Sequence, residues 1–212
     1  MIGQFITIEG IEGAGKTSCI GCVERLLTRN NIEYITTREP GGTTLAEKIR
    51  HILLETKDEP PVDLCELLLI FAGRAQHIHN VILPALNAGI WVVCDRFTDA
   101  TFAYQGGGRQ LDINLITSLS ASLKLPTPDF TLLFDLPVDV ALERAKERSE
   151  LDRFEREPLD FHTRIRNTYN ELASTHSKRF RTIDSSQGFP EVALVPTYPL
   201  CEHKRLHTAP VW

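Results

Sequence analysis

The chain has 212 residues, of which 42% are hydrophobic and 24% are charged, and its formal net charge is -5. These values are typical of one globular domain, here residues 1–212, and they argue against a basic surface that coats nucleic acid. No apolar run is long enough to span a bilayer. A strand and a glycine-rich loop begin almost at Met1, so we expect no signal peptide and a cytoplasmic location.

Strand-like and helix-like segments alternate along the chain. In chain order, we predict a strand at 5–9, a helix at 17–30, a strand at 34–37, helices at 45–54 and 64–87 (interrupted near Pro84), a strand at 90–95, a helix at 113–123, a strand at 130–135, helices at 138–148 and 159–174, and a strand at 180–184. This alternation predicts an α/β fold in which helices cover both faces of a five-stranded parallel sheet.

The first strand runs into a G-x-x-x-x-G-K-T motif, Gly10 to Thr17. Glycines allow backbone N–H groups to turn inward around an anion, and the next helix directs its positive end there. Lys16 can reach the terminal phosphates of a nucleotide, and the Thr17 hydroxyl can bind Mg²⁺. The expected ATP-binding residues are Gly10, Ile11, Glu12, Gly13, Ala14, Gly15, Lys16, Thr17 and Ser18.

Charged residues follow other predicted strands, and the carboxyl ends of parallel strands share one edge of the sheet. Asp95 ends a buried strand, which suits a second Mg²⁺ ligand, although an ordinary turn-capping aspartate is the alternative. Arg38, Arg74 and Arg96 lie near strand or helix ends. A guanidinium binds phosphate with two hydrogen bonds, so three arginines suggest a second phosphate site rather than solvated surface charges.

A basic cluster at about 144–156 lies between two predicted helices and contains Arg148 and Arg153. Such a segment can close as a lid over phosphates. Acidic residues are interleaved with the basic ones, so a salt-bridged helical face is an equal alternative. No N-K-x-D sequence is present, which disfavours a GTPase. A small-molecule kinase is the interpretation that these motifs favour.

Six motifs together resemble the bacterial thymidylate kinases. They are residues 5–17 around the P-loop, Arg38-Glu39-Pro40-Gly41-Gly42-Thr43, Phe71-Ala72-Gly73-Arg74-Ala75-Gln76-His77, Asp95-Arg96-Phe97, Ala103-Tyr104-Gln105-Gly106-Gly107-Gly108-Arg109 and Asp152-Arg153-Phe154-Glu155. The resemblance implies a P-loop NTPase fold, a homodimer, and Mg²⁺-dependent transfer of the ATP γ-phosphate to dTMP, giving dTDP and ADP for dTTP synthesis.

The resemblance also implies roles for individual residues. Phe71 would stack on thymine, Arg74 and Thr101 would bind the base, Arg38 and Arg96 would bind the acceptor phosphate, Tyr104 would exclude a 2′-hydroxyl, Glu12 would approach the 3′-hydroxyl, and Gln105 would help enclose dTMP. The catalytic residues would be Lys16, Arg96 and a lid arginine, for which Arg153 is preferred over Arg148.

Other sequence features carry less weight. Cys19-x-x-Cys22 lies within the first predicted helix, so we interpret both cysteines as packing residues. His77 and His79 point to different faces of a helix and should not share a metal. Prolines interrupt the chain near its end, so residues 196–212 are expected to pack irregularly or to be poorly ordered.

Two alternatives to a dTMP kinase stay open. One is a kinase for another monophosphate, such as dUMP, UMP or CMP, because a single methyl group gives only about 10–200-fold discrimination. The other is a nucleotide-dependent binding protein with no acceptor. The arginines, Phe71 and Tyr104 argue against that second alternative, since a regulator needs no second nucleotide pocket.

Overall fold

A computed structural model describes residues 3–55, 59–148 and 152–186, except for the side chains of Glu55 and Arg148. The strands are β1 (Phe5–Glu9), β2 (Tyr34–Arg38), β3 (Trp91–Asp95), β4 (Phe130–Asp135) and β5 (Phe180–Asp184). The helices are α1 (Lys16–Arg29), α2 (Thr44–Glu55), α3 (Asp63–His77), α4 (Leu83–Asn87), α5 (Thr98–Thr101), α6 (Ile113–Ser122), α7 (Val138–Arg148) and α8 (Leu159–Thr175), with π-helical segments at Ile78–Ile82 and Phe102–Gly108.

The five strands form one parallel sheet in the order β2-β3-β1-β4-β5, which confirms the predicted fold class. Asp95 pairs with Ile8 on one side and with Arg38 on the other. The P-loop, Arg38 and Asp95 therefore meet at one edge of the sheet, as the sequence predicts.

Alternate residues of a strand point to opposite sides of the sheet, and both sides are covered here. Ile6 and Ile8 of β1 pack into the larger core cluster with residues of α1 and α8. Phe5 packs on the opposite face with Ile78 and Ile82. The functional edge is thereby fixed by a sheet that is buried on both sides.

Two helical regions differ from the predicted elements. The segment predicted at 64–87 divides into α3, a π-helical segment and α4, and Pro84 lies in the first turn of α4, where a missing N–H is tolerated. The sequence assigns no helix to 98–108, because Gly106-Gly107-Gly108 is typical of a loop. These glycines instead allow close packing: a Cβ at Gly108 would lie 2.6 Å from the ring of Phe161 in α8.

Both cysteines are packed in the interior, and the two histidines lie on different faces, as the sequence indicates. Cys19 and Cys22 are buried free thiols, and Cys22 accepts a hydrogen bond from Arg25 at 3.0 Å. His77 is buried, whereas His79 is exposed. Among the described helices, none has the length and apolarity needed to cross a membrane. Residues 196–212, for which irregular packing is expected, lie outside the described residues.

Candidate active site

The P-loop leaves β1 and forms the floor of the first pocket. Gly10 has a φ of 138°, and a Cβ there would lie 2.5 Å from the carbonyl oxygen of Phe134, so only glycine lets the loop pack against β4. Helix α1 begins at Lys16 and directs its positive end at the pocket. The P-loop residues that line this pocket are Glu12, Gly13, Gly15, Lys16, Thr17 and Ser18.

Lys16 lies on the pocket floor with 9% of its surface exposed. Its ammonium donates hydrogen bonds to the carbonyl oxygens of Gly10 at 2.9 Å and Ile11 at 2.8 Å. Burial, followed by the nearby Arg96 charge, lowers the pKa of Lys16 to about 8. An anion bound in this pocket would favour the charged form again, so the site is suited to phosphate.

Asp95 supplies a carboxylate on the other side of the same pocket, where Thr17 also lies. Its Oδ1 atom is buried and has no hydrogen-bond partner among the described residues. Such an oxygen suits a cation ligand, because burying it without a partner is unfavourable. The described part of the chain has no group of three or more His, Cys, Asp or Glu side chains that could hold a metal. One carboxylate and one hydroxyl do fit Mg²⁺ that arrives with nucleotide phosphates.

A second cavity adjoins the P-loop pocket, and the two share Glu12, Arg50, Arg96 and Asp152. No motif in the sequence marks Arg50. Burial, and next the charge of Arg38, lower the pKa of this guanidinium. The spacing of Glu47 and Arg50 on one face of α2 is the only sequence signal for this residue. Arg50 and Arg96 therefore place two guanidinium groups at the junction, where they can bind phosphate.

Arg38 and Arg96 both lie near this junction, but their surroundings differ. Arg38 is 52% exposed and pairs with Glu47 at 2.8 Å in the P-loop pocket. Arg96 donates to Glu12 at 2.8 Å and to the Tyr169 hydroxyl at 3.2 Å. Tyr169 was not predicted, because its position in α8 shows no motif. Arg96 is thus held by its neighbours, whereas Arg38 lies at the pocket rim.

Glu12 and Tyr104 form the wall beside the junction. The Tyr104 hydroxyl lies 2.7 and 2.6 Å from the two carboxylate oxygens of Glu12, and the Arg96 guanidinium lies 4.7 Å from the centre of the tyrosine ring. Burial opposes ionisation of Glu12, but Arg96 and Lys16 outweigh it and lower the pKa of the carboxyl. Burial raises the pKa of Tyr104 well above its usual value, so the phenol stays a donor.

Arg74 lies at the far end of the second cavity and is 2% exposed. Its Nε donates to Glu39 at 2.6 Å, and its Nη2 donates to the carbonyl oxygen of Phe97 at 3.0 Å. Its Nη1 is buried and has no partner among the described residues. Thr101 and Gln105 line the same cavity. A ligand carbonyl is the kind of group that would satisfy Nη1.

Phe71, which is expected to stack on a base, lies in the core rather than on the cavity wall. Phe71 packs in a core cluster with Leu67 and Ile116, and it is not among the residues that line the cavity. Ile70 lines the cavity instead. Helical periodicity explains the difference. Ile70, four residues before Arg74, lies closer to the cavity-lining face of α3 than Phe71, which is three residues before Arg74.

Comparison with known proteins agrees with this geometry. A family model described as thymidylate kinase matches residues 8–193. The chain belongs to the thymidylate kinase family. Thymidylate kinase from Alcanivorax borkumensis is 50% identical over 193 residues, covering 91% of this chain and 93% of the relative, and that from Teredinibacter turnerae is 48% identical over 197 residues, covering 91% and 94%. The crystal structure of thymidylate kinase from Ehrlichia chaffeensis superimposes with a TM-score of 0.73 at 33% identity, covering 94% of this chain and 99% of that one.

This thymidylate kinase family member is therefore a nucleoside monophosphate kinase. Asp152 and Phe154, which belong to the segment predicted to form a lid, line the second cavity. Asp152 Oδ1 accepts hydrogen bonds from the backbone N–H groups of Phe154 at 2.8 Å and Glu155 at 3.0 Å, which forms a tight turn. The Phe154 ring meets the Tyr104 ring edge-on, with centroids 5.9 Å apart. This turn thus forms part of the wall of the second cavity.

The lid arginine preferred from the sequence does not lie in the P-loop pocket. Arg153 donates to the Leu53 carbonyl oxygen at 2.8 Å and pairs with the buried carboxylate of Glu66. Arg144 does line the pocket, and it donates to the carbonyl oxygen of Ser185 at 2.8 Å. The side chain of Arg148 lies outside the described residues. Arg144 belongs to the basic cluster at 144–156, and no motif in the sequence predicts an individual role for it.

Proposed function

We propose that the chain transfers the γ-phosphate of ATP to dTMP, giving dTDP and ADP for dTTP synthesis. The observation that carries this proposal is the pair of pockets that share Glu12, Arg50 and Arg96. One pocket has a P-loop floor, and the other ends at the unpartnered Nη1 of Arg74. Two nucleotides bound in these pockets would bring their phosphates together at the shared arginines.

The base of dTMP would occupy the end of the second cavity. Arg74 Nη1 would donate to a pyrimidine carbonyl, and Thr101 and Gln105 would contact the edge of the base. Ile70 and the Phe97 ring provide apolar surface there, in place of the stacking first expected of Phe71.

The deoxyribose would lie against Glu12 and Tyr104. The ionised Glu12 carboxylate is an acceptor for a 3′-hydroxyl. The Tyr104 ring would lie against the 2′ position and exclude a hydroxyl there. The hydrogen bonds from Tyr104 and Arg96 fix the carboxylate, so the sugar meets a wall that does not need to rearrange.

The reacting groups would meet between the P-loop and the three arginines Arg38, Arg50 and Arg96. An oxygen of the dTMP phosphate attacks the γ-phosphorus, and the bond from that phosphorus to the β-γ bridging oxygen breaks. The nucleophile is already ionised, so no general base is required. Lys16 would stabilise charge on the donor phosphates. Mg²⁺, when bound with ATP through Thr17 and Asp95, supplies further charge neutralisation.

The lid would supply the remaining positive charge. Arg153 must leave Glu66 to reach the γ-phosphate, whereas Arg144 already lines the pocket. We retain Arg153 as the proposed catalytic lid arginine and Arg148 as the second candidate. A lid arginine of this kind acts only on the closed ternary complex, which limits transfer of the phosphoryl group to water.

We also propose that the chain acts as a homodimer in the cytoplasm, where its nucleotide substrates are held. Support for the dimer comes from α3 and α6, which pack together through Leu67 and Ile116. Their outer surfaces carry exposed apolar residues, Leu64, Leu68, Ile113 and Leu115, at 37–50% exposure. Apolar side chains grouped in this way are typical of an interface between copies.

Acceptor-dependent ADP release would test the proposed reaction. The purified full-length chain is supplied with ATP, Mg²⁺ and one of dTMP, dUMP, UMP, dCMP or AMP. We expect strong turnover with dTMP, turnover about 10–200-fold weaker with dUMP, and little with the others.

Each competing function predicts a different pattern in the same assay. Preference for UMP or dCMP would replace dTMP with another acceptor. Nucleotide binding without acceptor-dependent turnover would indicate a binding protein and would end the kinase proposal.

A further inference from the structure

A buried histidine that the proposed reaction does not use lies behind the base end of the acceptor cavity. His77 is fully buried at the end of α3. Its Nδ1 lies 3.0 Å from Glu39 Oε1, and its Nε2 lies 2.7 Å from the hydroxyl oxygen of Thr37. The other oxygen of Glu39 accepts from Arg74 Nε at 2.6 Å. A continuous chain of hydrogen bonds therefore joins β2 to the arginine of the cavity.

The partners of each atom set the direction of this chain. Glu39 faces the Arg74 guanidinium, so its carboxylate is an acceptor, and His77 Nδ1 must carry the proton that it donates. In the neutral imidazole Nε2 is then an acceptor, and the Thr37 hydroxyl donates to it. Both polar atoms of the buried ring are thus satisfied, and the ring has one orientation.

The backbone of Gly42 packs closely against this pair of side chains. Gly42 has a φ of 81°, and a Cβ there would lie 2.4 Å from His77 Nε2 and 2.6 Å from the Thr37 hydroxyl oxygen. The turn that follows β2 is therefore packed directly on the link between these two side chains. That close approach holds the ring in contact with Glu39.

The chain of hydrogen bonds ends at Arg74, which lines the acceptor cavity. Glu39 fixes Nε, the Phe97 carbonyl fixes Nη2, and the rings of Phe71 and Phe97 lie 5.3 and 5.2 Å from the guanidinium carbon. Nη1 is buried and has no hydrogen-bond partner among the described residues. The direction in which Arg74 presents Nη1 depends on its contact with Glu39, and the position of Glu39 depends on its contact with His77.

We propose that His77 is a positioning residue for acceptor recognition, which orients Arg74 through Glu39 toward a carbonyl of the pyrimidine. This inference rests on the proposed function, because it assigns the base carbonyl to Arg74 Nη1. Recognition of the base would then also depend on residues that do not touch it, namely those of the hydrogen-bond chain that begins at Thr37.

Steady-state kinetics of three variants test the proposal. His77→Leu removes the link, His77→Asn retains a donor near the Nδ1 position, and His79→Leu alters an exposed histidine on the same segment as a matched control. We expect His77→Leu to raise KM for dTMP about 10-fold and to change KM for ATP less than about twofold. His77→Asn should recover most of the loss, and His79→Leu should behave as the wild type.

A second comparison keeps the proposal testable if His77→Leu does not fold. Thr37→Val removes only the outer donor and should raise KM for dTMP about threefold. In the pair His77→Leu and Arg74→Lys, the double variant should have a KM for dTMP no higher than Arg74→Lys alone, because both changes act on one contact. Multiplicative losses would contradict the proposal.

The outcomes separate this inference from the proposed function. If the wild type does not phosphorylate dTMP, the proposed function fails before any variant is measured. If the wild type is active but KM for dTMP is unchanged in His77→Leu and Thr37→Val, or if KM for ATP rises equally, His77 has only a structural role. A selective rise in KM for dTMP, with recovery by His77→Asn, supports positioning.

Discussion

The P-loop pocket and the acceptor cavity are built in different ways. The floor of the first is formed by consecutive P-loop residues and one helix end, and its walls add side chains from other elements, including Arg38, Asp95 and Arg144. The second collects side chains from α2, α3, the end of β3 and the π-helical segment Phe102–Gly108. Local sequence therefore specifies the floor of the donor site, whereas the walls of the donor pocket and the whole acceptor site depend on long-range packing. We therefore expect single substitutions on the floor of the first pocket to lower turnover strongly. Substitutions in the second pocket should cause smaller losses, each confined to one part of dTMP recognition.

The largest effect is expected at the donor site. Lys16→Ala removes the ammonium that lies on the Gly10 and Ile11 carbonyls and should lower turnover by about 10²–10³-fold or more. Thermal unfolding should change little, because the P-loop backbone is held by its glycines and by α1. Near-normal turnover would end the assignment of this loop as the phosphate site.

An intermediate effect is expected where the two regions meet. Arg50→Met keeps most of the side-chain volume but removes the charge shared by both pockets, so we expect kcat/KM for dTMP to fall about 30–100-fold. Lys48→Met on the same helix is the control, since Lys48 is exposed. Equal losses in the two variants would show that Arg50 acts only through general surface charge.

Two variants of Tyr104 separate the contribution of its ring from that of its hydroxyl at the wall of the acceptor cavity that faces the sugar. Tyr104→Ala removes the ring and should raise the preference for the ribonucleotide counterpart of dTMP about 10-fold relative to dTMP. Tyr104→Phe keeps the ring and loses the hydrogen bond to Glu12. It should therefore weaken dTMP binding without improving ribonucleotide use. An unchanged preference in Tyr104→Ala would remove this residue from the sugar pocket.

The smallest effect is a pH dependence confined to the donor site. The pKa of Lys16 is lowered to about 8, so the ammonium is lost as pH rises through that value. Between pH 7 and 8.5, kcat/KM for ATP should fall about fourfold, since only the charged form binds phosphate well. The kcat at saturating ATP should stay flat, because bound phosphates raise the pKa of Lys16 again. A fall in kcat of the same size would contradict this account.

The elements of the fold were largely predictable, and the reasons for the exceptions are local. Strands β1, β4 and β5 are as predicted, since their apolar runs are bounded by clear turn residues. The helical segment 98–108 was missed because three consecutive glycines suggest a loop, and only contact with α8 explains them. The division of the 64–87 helix was expected at Pro84, but it begins at Ile78.

In the candidate site, too, long-range contacts decided what local patterns could not predict. Phe71 and Ile70 are adjacent, and the sequence favours the aromatic residue, but the packing of α3 on α6 directs Phe71 into the core. Arg50 has no motif, and its importance follows from its position between two pockets. The orientation of Arg153 toward Glu66 depends on a contact between residues 87 positions apart.

The sequence by itself determined the parallel α/β sheet, the P-loop and the placement of Arg38 and Asp95 at one edge, because these follow from periodicity and from glycine and strand-end chemistry over short distances. Only the tertiary structure decided which face of α3 lines the acceptor cavity, which arginines two pockets share, and how Thr37, His77 and Glu39 reach Arg74. Those contacts join residues far apart in the chain, and their geometry is set by the packing of whole elements rather than by any local pattern.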